Sequence, residues 1–164
     1  RTGPGARQCE GSSSEPADSG PARMTVIDFY HSAEDRMAVV ARLVAKEAAA
    51  RTPVRILTPD EATTDKLDRV LWAAPPTGFV PHCRMDSRLA PVTPVWIDHR
   101  LEHSGPAAML VNLTADPPPF FSRFERLAEV VTTDDADVLA GRQRFKFYRE
   151  RGYELRAVDV RDWA

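Results

Sequence analysis

The chain has 164 residues, 43% of them hydrophobic and 28% charged, with a formal net charge of −2. That is the size of one soluble domain, able to bury a core without disulfides or metals. The charge balance argues against coating nucleic acid through bulk positive charge. A run of about 18 apolar residues is absent, as is an apolar signal segment, and two cysteines, Cys9 and Cys83, make no disulfide framework. These features fit a cytosolic protein.

Residues 1–23 hold four Gly, three Pro and four Ser and no Leu, Ile, Val, Phe, Trp, Tyr or Met. Such a segment cannot bury enough apolar surface to offset the entropy of ordering it. It reads as a disordered leader ahead of a start at Met24, an upstream extension of the reading frame or an addition to the native chain, with a functional flexible arm as the competing reading. Residues 24–164 read as a single α/β domain that starts at Met24.

The β-branched and aromatic run 24–31 predicts a strand. Ser32 is placed to cap the helix that follows, whose apolar stripe is Met37, Val40, Leu43 and Val44. A buried-type strand spans 54–58. Thr58, Pro59 and Glu61 then read as a capping box, opening a helix with Leu67, Val70 and Leu71 inward. Residues 73–94 contain five of the fourteen prolines and read as irregular. Strands follow at 95–98 and 107–113, and their short link predicts an antiparallel hairpin or meander. A short helix over 117–127 turns Phe121, Phe124 and Leu127 inward. A strand at 129–133 leads to a helix capped by Asp134 or Asp135 and stopped by Gly152, and 153–160 is the last strand. Strands separated by helices predict a Rossmann-like three-layer fold, with a mostly parallel mixed sheet and helices on both faces.

An open sheet of this kind invites a nucleotide, but its first strand-to-helix turn carries no glycine, and neither GxGxxG nor GxxxxGK[ST] occurs. His82 and Cys83 are adjacent and unsupported by further ligands. His99 and His103 have i,i+4 spacing in a loop-like segment, so solvated or hydrogen-bonded imidazoles explain them better than a metal. Carboxylates at strand ends, Asp28 and Asp98 above all, leave a metal-dependent nuclease as a rival reading.

Two stretches look like binding surfaces. Arg142, Arg144, Lys146, Arg149 and Arg151 crowd the last long helix, with Phe145, Phe147 and Tyr148 among them. Arg142, Phe145, Lys146 and Arg149 share one face through i,i+3 and i,i+4 steps. Basic heads beside an aromatic floor suit an acidic peptide with an apolar end. The bland alternative is a helix end whose cations complement its dipole, and a third is direct single-stranded nucleic-acid binding. The second stretch is 71–82, where Trp72, Phe79 and Val80 flank a Pro-rich loop and serve either the core or a partner.

In this order TVIDFYH, the helix end Asp68-Arg69-Val70-Leu71-Trp72, the step Phe79-Val80-Pro81-His82 and the segment Arg142 to Arg149 with Gly152-Tyr153 resemble the chi subunit of bacterial DNA polymerase III. The resemblance runs from Met24 to the end of the chain. It implies a Rossmann-like adaptor with no cofactor or catalysis, accessory to the replicative polymerase. One side would bind the acidic, Phe-ended tail of single-stranded DNA-binding protein (SSB), through Arg142, Phe145 and Lys146 with Arg149 as a neighbour. The other, around Trp72, Phe79 and Val80, would bind the psi subunit of the clamp loader, or a repair helicase at the same surface. DNA would be contacted indirectly. Val138 stands where the family carries a lysine, and the loop between His82 and Val95 lacks the family's Gly-rich stretch.

Overall fold

The computed structural model describes residues 24–73, 80–102 and 108–163. The expectations for the leader, for Phe79 and for His103 lie outside them. The elements are β1 (Val26–Ala33), α1 (Arg36–Ala49), β2 (Val54–Leu57), α2 (Glu61–Ala73), β3 (His82–Arg84), β4 (Val95–Asp98), β5 (Met109–Asn112), β6 (Arg126–Thr132), α3 (Asp135–Glu150) and β7 (Leu155–Asp159). The strands form one seven-stranded sheet in the order β3-β4-β2-β5-β6-β1-β7, and every pairing is parallel.

Period-2 alternation in the strands creates the layers. Tyr30, Val54 and Ile56 face a core closed by Val40, Leu43 and Val44 of α1 and Leu67 and Leu71 of α2. Ile27, Phe29, Leu57, Leu110 and Leu127 face a second core, closed by Tyr148 of α3 and by Phe120, Phe121 and Phe124. Helices therefore cover both faces, as the strand–helix alternation predicted.

The structure corrects several local expectations. Ser32 does not cap α1. It lies inside β1 with a left-handed backbone (φ 66°), and Asp35 accepts the amides of Met37 and Ala38 at 3.0 and 3.3 Å instead. Tyr30 pairs with Val130 and Ala33 with Thr132, so β1 carries one extra residue there, a bulge. At the start of α2, Asp60 rather than Thr58 accepts the Thr63 amide, at 2.7 Å. Thr58 is buried and hydrogen bonded to Thr64. The irregular stretch hides a short edge strand, β3. The helix expected over 117–127 is a single 3₁₀ turn, Phe121–Arg123, and β6 begins three residues later. Its three inward residues are nonetheless buried.

β4 and β5 do not form a hairpin; they flank β2 on either side. Arg55 of β2 explains how their link is held. Its fully buried guanidinium donates to the carbonyls of Arg100 (2.7 Å) and Glu102 (3.0 Å), pinning the start of the link to the strand it passes. It also stacks over Phe120, 5.3 Å from the ring centre. Burial lowers its pKa to about 10, so it stays charged at neutral pH.

One buried polar cluster joins α3 to the sheet. Glu129 of β6 is fully buried. Its carboxylate accepts from Arg144 Nε at 2.9 Å, Tyr148 Oη at 2.6 Å and Asn112 Nδ2 at 3.0 Å. Arg144 also donates to the Ala115 carbonyl at 3.1 Å. Burial pushes the Glu129 carboxyl upward, while the Arg144 charge and the donors pull it back. Burial and the neighbouring carboxylate push the Tyr148 phenol up, which keeps it a donor. Removing one partner of such a pair leaves an uncompensated buried charge. Arg144→Ala is therefore expected to lower the unfolding free energy by about 3–5 kcal/mol in urea titration, whereas the paired apolar change Glu129→Leu with Arg144→Met costs less than the single variant.

Candidate functional site

α3 is delimited by its own sequence. Asp134 accepts the Asp137 amide at 3.2 Å and starts the helix, and Gly152, with φ 80°, takes the left-handed turn that ends it. Which face looks outward follows from the buried cluster. Arg144 and Tyr148 are one helical turn apart and point at Glu129, so Arg142, Lys146 and Arg149 are left at the surface. Of the five cations that crowd this stretch, the two not expected on the shared face are engaged elsewhere. Arg144 is inside, and Arg151 lies over the Phe147 ring at 3.4 Å while donating to the Phe147 carbonyl.

The four residues singled out on this helix come together. Arg142, Phe145, Lys146 and Arg149, with Glu150, line one shallow groove of about 430 Å³. Phe145 is half-buried and meets Phe29 edge-on, with ring centres 5.2 Å apart. Lys146 lies 3.8 Å from Glu150 in an exposed i,i+4 pair, which is worth little in water. Among the described residues, neither Arg142 nor Arg149 takes part in an ion pair.

Arg142 and Phe145 also border a second pocket of about 430 Å³. Its walls are mostly apolar: Phe29, Val131, Val138, Phe145 and Ala157. Its rim is polar, with His31, Ser32, Thr132, Thr133 and Arg142. It lies at the carboxyl ends of the parallel strands β1, β6 and β7, where open α/β sheets place their ligands. Gly141 makes room for it. A Cβ on Gly141 would meet Val131 Cγ2 at 2.8 Å, so only glycine lets α3 approach β6 so closely.

Sequence reasoning missed the sheet wall of this pocket. Two signals pointed to it: a glycine inside a helix that otherwise disfavours one by about 1 kcal/mol, and the ends of the first and fifth predicted strands. Val138, noted as the place of a lost lysine, is an apolar wall residue here.

The other predicted surface divides. Trp72 is 63% exposed at the end of α2, whereas Val80 is buried in the core. Between them His82 is engaged on both ring nitrogens, with the Val80 carbonyl 2.6 Å from Nδ1 and an Asp68 carboxylate oxygen 3.0 Å from Nε2, and its ring meets Trp72 edge-on. Asp28 and Asp98 are not brought together. They sit on β1 and β4, four strand spacings apart, roughly 19 Å at about 4.8 Å each, while metal pairs in nucleases lie roughly 4 Å apart. Asp28 is paired with Arg156 at 2.8 Å, and Asp98 accepts the Arg100 amide at 2.9 Å. Among the described residues no helix is long and apolar enough to cross a membrane.

The head of α3 is tied to α1 by Arg36 and Asp137, 2.5 Å apart, and Asp137 also accepts the Thr132 amide at 2.6 Å. Burial raises the Asp137 carboxyl, but the Arg36 hydrogen bond and the Thr132 amide outweigh it and hold the carboxyl below the usual range. A depressed folded-state value contributes stability above the unfolded pKa of about 3.9 that is lost as pH falls through the folded value. Asp137→Asn is expected to flatten the acid limb of the stability profile below about pH 4, as read by thermal melts at successive pH values.

The profile of the family described as DNA polymerase III chi subunit, HolC, matches residues 24–156. The chain is 35% identical over 136 residues to DNA polymerase III subunit chi of Pseudomonas aeruginosa, covering 80% of this chain and 94% of the relative. It is 31% identical over 128 residues to the subunit of the same name from Escherichia coli (74% and 86%), and 31% identical over 111 residues to that of Haemophilus influenzae (65% and 75%).

Proposed function

The chain belongs to the DNA polymerase III chi family, accessory subunits of the replicative polymerase, and from that premise we propose that it is a non-catalytic adaptor whose α3 face binds the acidic, Phe-ended C-terminal tail of SSB. One observation carries the reading: an apolar pocket and a cationic groove share Arg142 and Phe145 as their common wall. A peptide that is acidic along its length and aromatic at its end has the matching pattern. Its terminal ring enters the pocket between Phe145 and Val138, its terminal carboxylate pairs with Arg142, and its acidic residues lie along Lys146 and Arg149. Arginine suits the first role because its planar fork meets a carboxylate bidentately. A pocket of about 430 Å³ falls within the range of small ligand sites.

On this reading the exposed Trp72 end of α2, with Phe79 and Val80 beside it in the sequence, is where the adaptor meets the psi subunit of the clamp loader, or a helicase that uses the same surface. The two sites stand on different elements, as an adaptor requires. Direct binding of single-stranded nucleic acid is a weaker fit. Stacking needs open aromatic faces, yet Phe145 is packed edge-on against Phe29 and Phe147 is covered by Arg151.

The test is a titration with a fluorescent peptide ending in Asp-Asp-Ile-Pro-Phe. Binding is expected to weaken as salt rises, since exposed charges are screened. Arg142→Ala is expected to lose about tenfold or more in affinity, the worth of one charge-assisted contact. Trp72→Ala is the control and should leave the peptide affinity unchanged. Normal binding by Arg142→Ala would contradict the site.

A further inference from the structure

The bulge in β1 carries backbone strain. Ser32 is a non-glycine residue at φ 66°, in a region that non-glycine residues occupy under strain and that clusters at functional sites. The extra residue sets His31 and Ser32 together against Val131 of β6. Both residues line the apolar pocket, on the sheet side of the cavity whose helix side carries Arg142. They are hydrogen bonded to each other, His31 Nδ1 to Ser32 Oγ at 2.9 Å. Among the described residues, His31 Nε2 makes no hydrogen bond.

This pair can always turn a donor toward an anion. If the serine hydroxyl donates to Nδ1, the neutral ring carries its proton on Nε2, which then donates. If Nδ1–H donates to Oγ, the hydroxyl hydrogen is free to donate. Asp159 stands opposite His31 in the β1–β7 register. It is held at about 2 by the Arg161 guanidinium, which chelates it at 2.5–3.1 Å, so its charge is largely answered from within β7 and the turn after it.

We propose that the His31–Ser32 pair is a second anion-recognition element of this pocket, which grips the terminal carboxylate of the seated peptide together with Arg142. The proposal rests on the tail-binding reading of α3 and adds a residue pair on a different strand to it. Its consequence is selectivity for a free chain end: an internal aromatic residue could fill the apolar pocket but would present no carboxylate to β1.

The experiment compares the tail peptide with a free terminal carboxylate and the same peptide ending in a carboxamide. Each is titrated against the wild-type protein, His31→Ala and Ser32→Gly. Glycine suits the left-handed backbone at position 32, so that variant removes the hydroxyl without threatening the fold. The wild type should prefer the acid by about tenfold, and each variant should narrow that preference by about threefold or more while the amide binds as before. An acid-to-amide ratio unchanged in both variants would overturn the proposal, as would an equal loss for both peptides, which marks a merely structural role. Failure of the wild type to bind either peptide would overturn the α3 reading itself, and the proposal with it.

Discussion

The carboxylate of Glu129, sealed between the sheet and α3, fixes what the surface of this protein offers. A buried charge must be paired and hydrogen bonded to be tolerated, and here Arg144, Tyr148 and Asn112 meet that demand. Two of those partners come from α3, so the rotation of the helix about its axis is set from inside. Once Arg144 and Tyr148 are committed inward, Arg142, Lys146 and Arg149 have no choice but the outer face, and Phe145 falls at the boundary between core and solvent. Gly141 sets the remaining variable, the distance of the helix from β6. The pocket lies between a helix held close at Gly141 and the bulged end of β1.

Much of the fold was legible in local pattern because the elements that read clearly are those whose ends carry their own chemistry. Asp134 and Gly152 bracket α3, β-branched and aromatic residues mark β1 and β2, and an apolar run marks β5. What stayed hidden is non-local. Nothing in VWID or AAMLVNL says that β2 lies between them, and the short link suggested a hairpin. The answer lies in Arg55, one charged residue in an otherwise apolar strand, whose buried guanidinium holds the link. β3 escaped because three residues, two of them half-exposed, carry no periodicity. The false cap at Ser32 followed from a sound rule applied one turn too early. The chain needs three more residues to leave the sheet, and Asp35 is the cap it reaches.

The site was legible on the helix and illegible on the sheet. Spacing alone placed Arg142, Phe145, Lys146 and Arg149 on one face, because 100° per residue is a local rule. The same rule separates Arg144 from that face, being two residues from Arg142, although composition counted it with the others. The sheet wall could not be read this way. His31 and Ser32 are brought beside Thr132, and so beside α3, through the parallel β1–β6 pairing, a register no local sequence states. The result is a Rossmann-like sheet with a pocket at the carboxyl ends of its strands, bordered by a cationic helix where other such sheets carry a glycine-rich turn. That arrangement suits a charged peptide end better than a nucleotide.

The central claim is that ligand contact is confined to the pocket and groove flanking Phe145. The most direct measurement is an amide and methyl NMR titration of the labelled protein with the Phe-ended acidic peptide. The account predicts perturbations concentrated at Val131 to Thr133, Val138, Gly141, Arg142 and Phe145, fading toward Trp72. Perturbations centred on Trp72 and His82, with α3 unmoved, would contradict it.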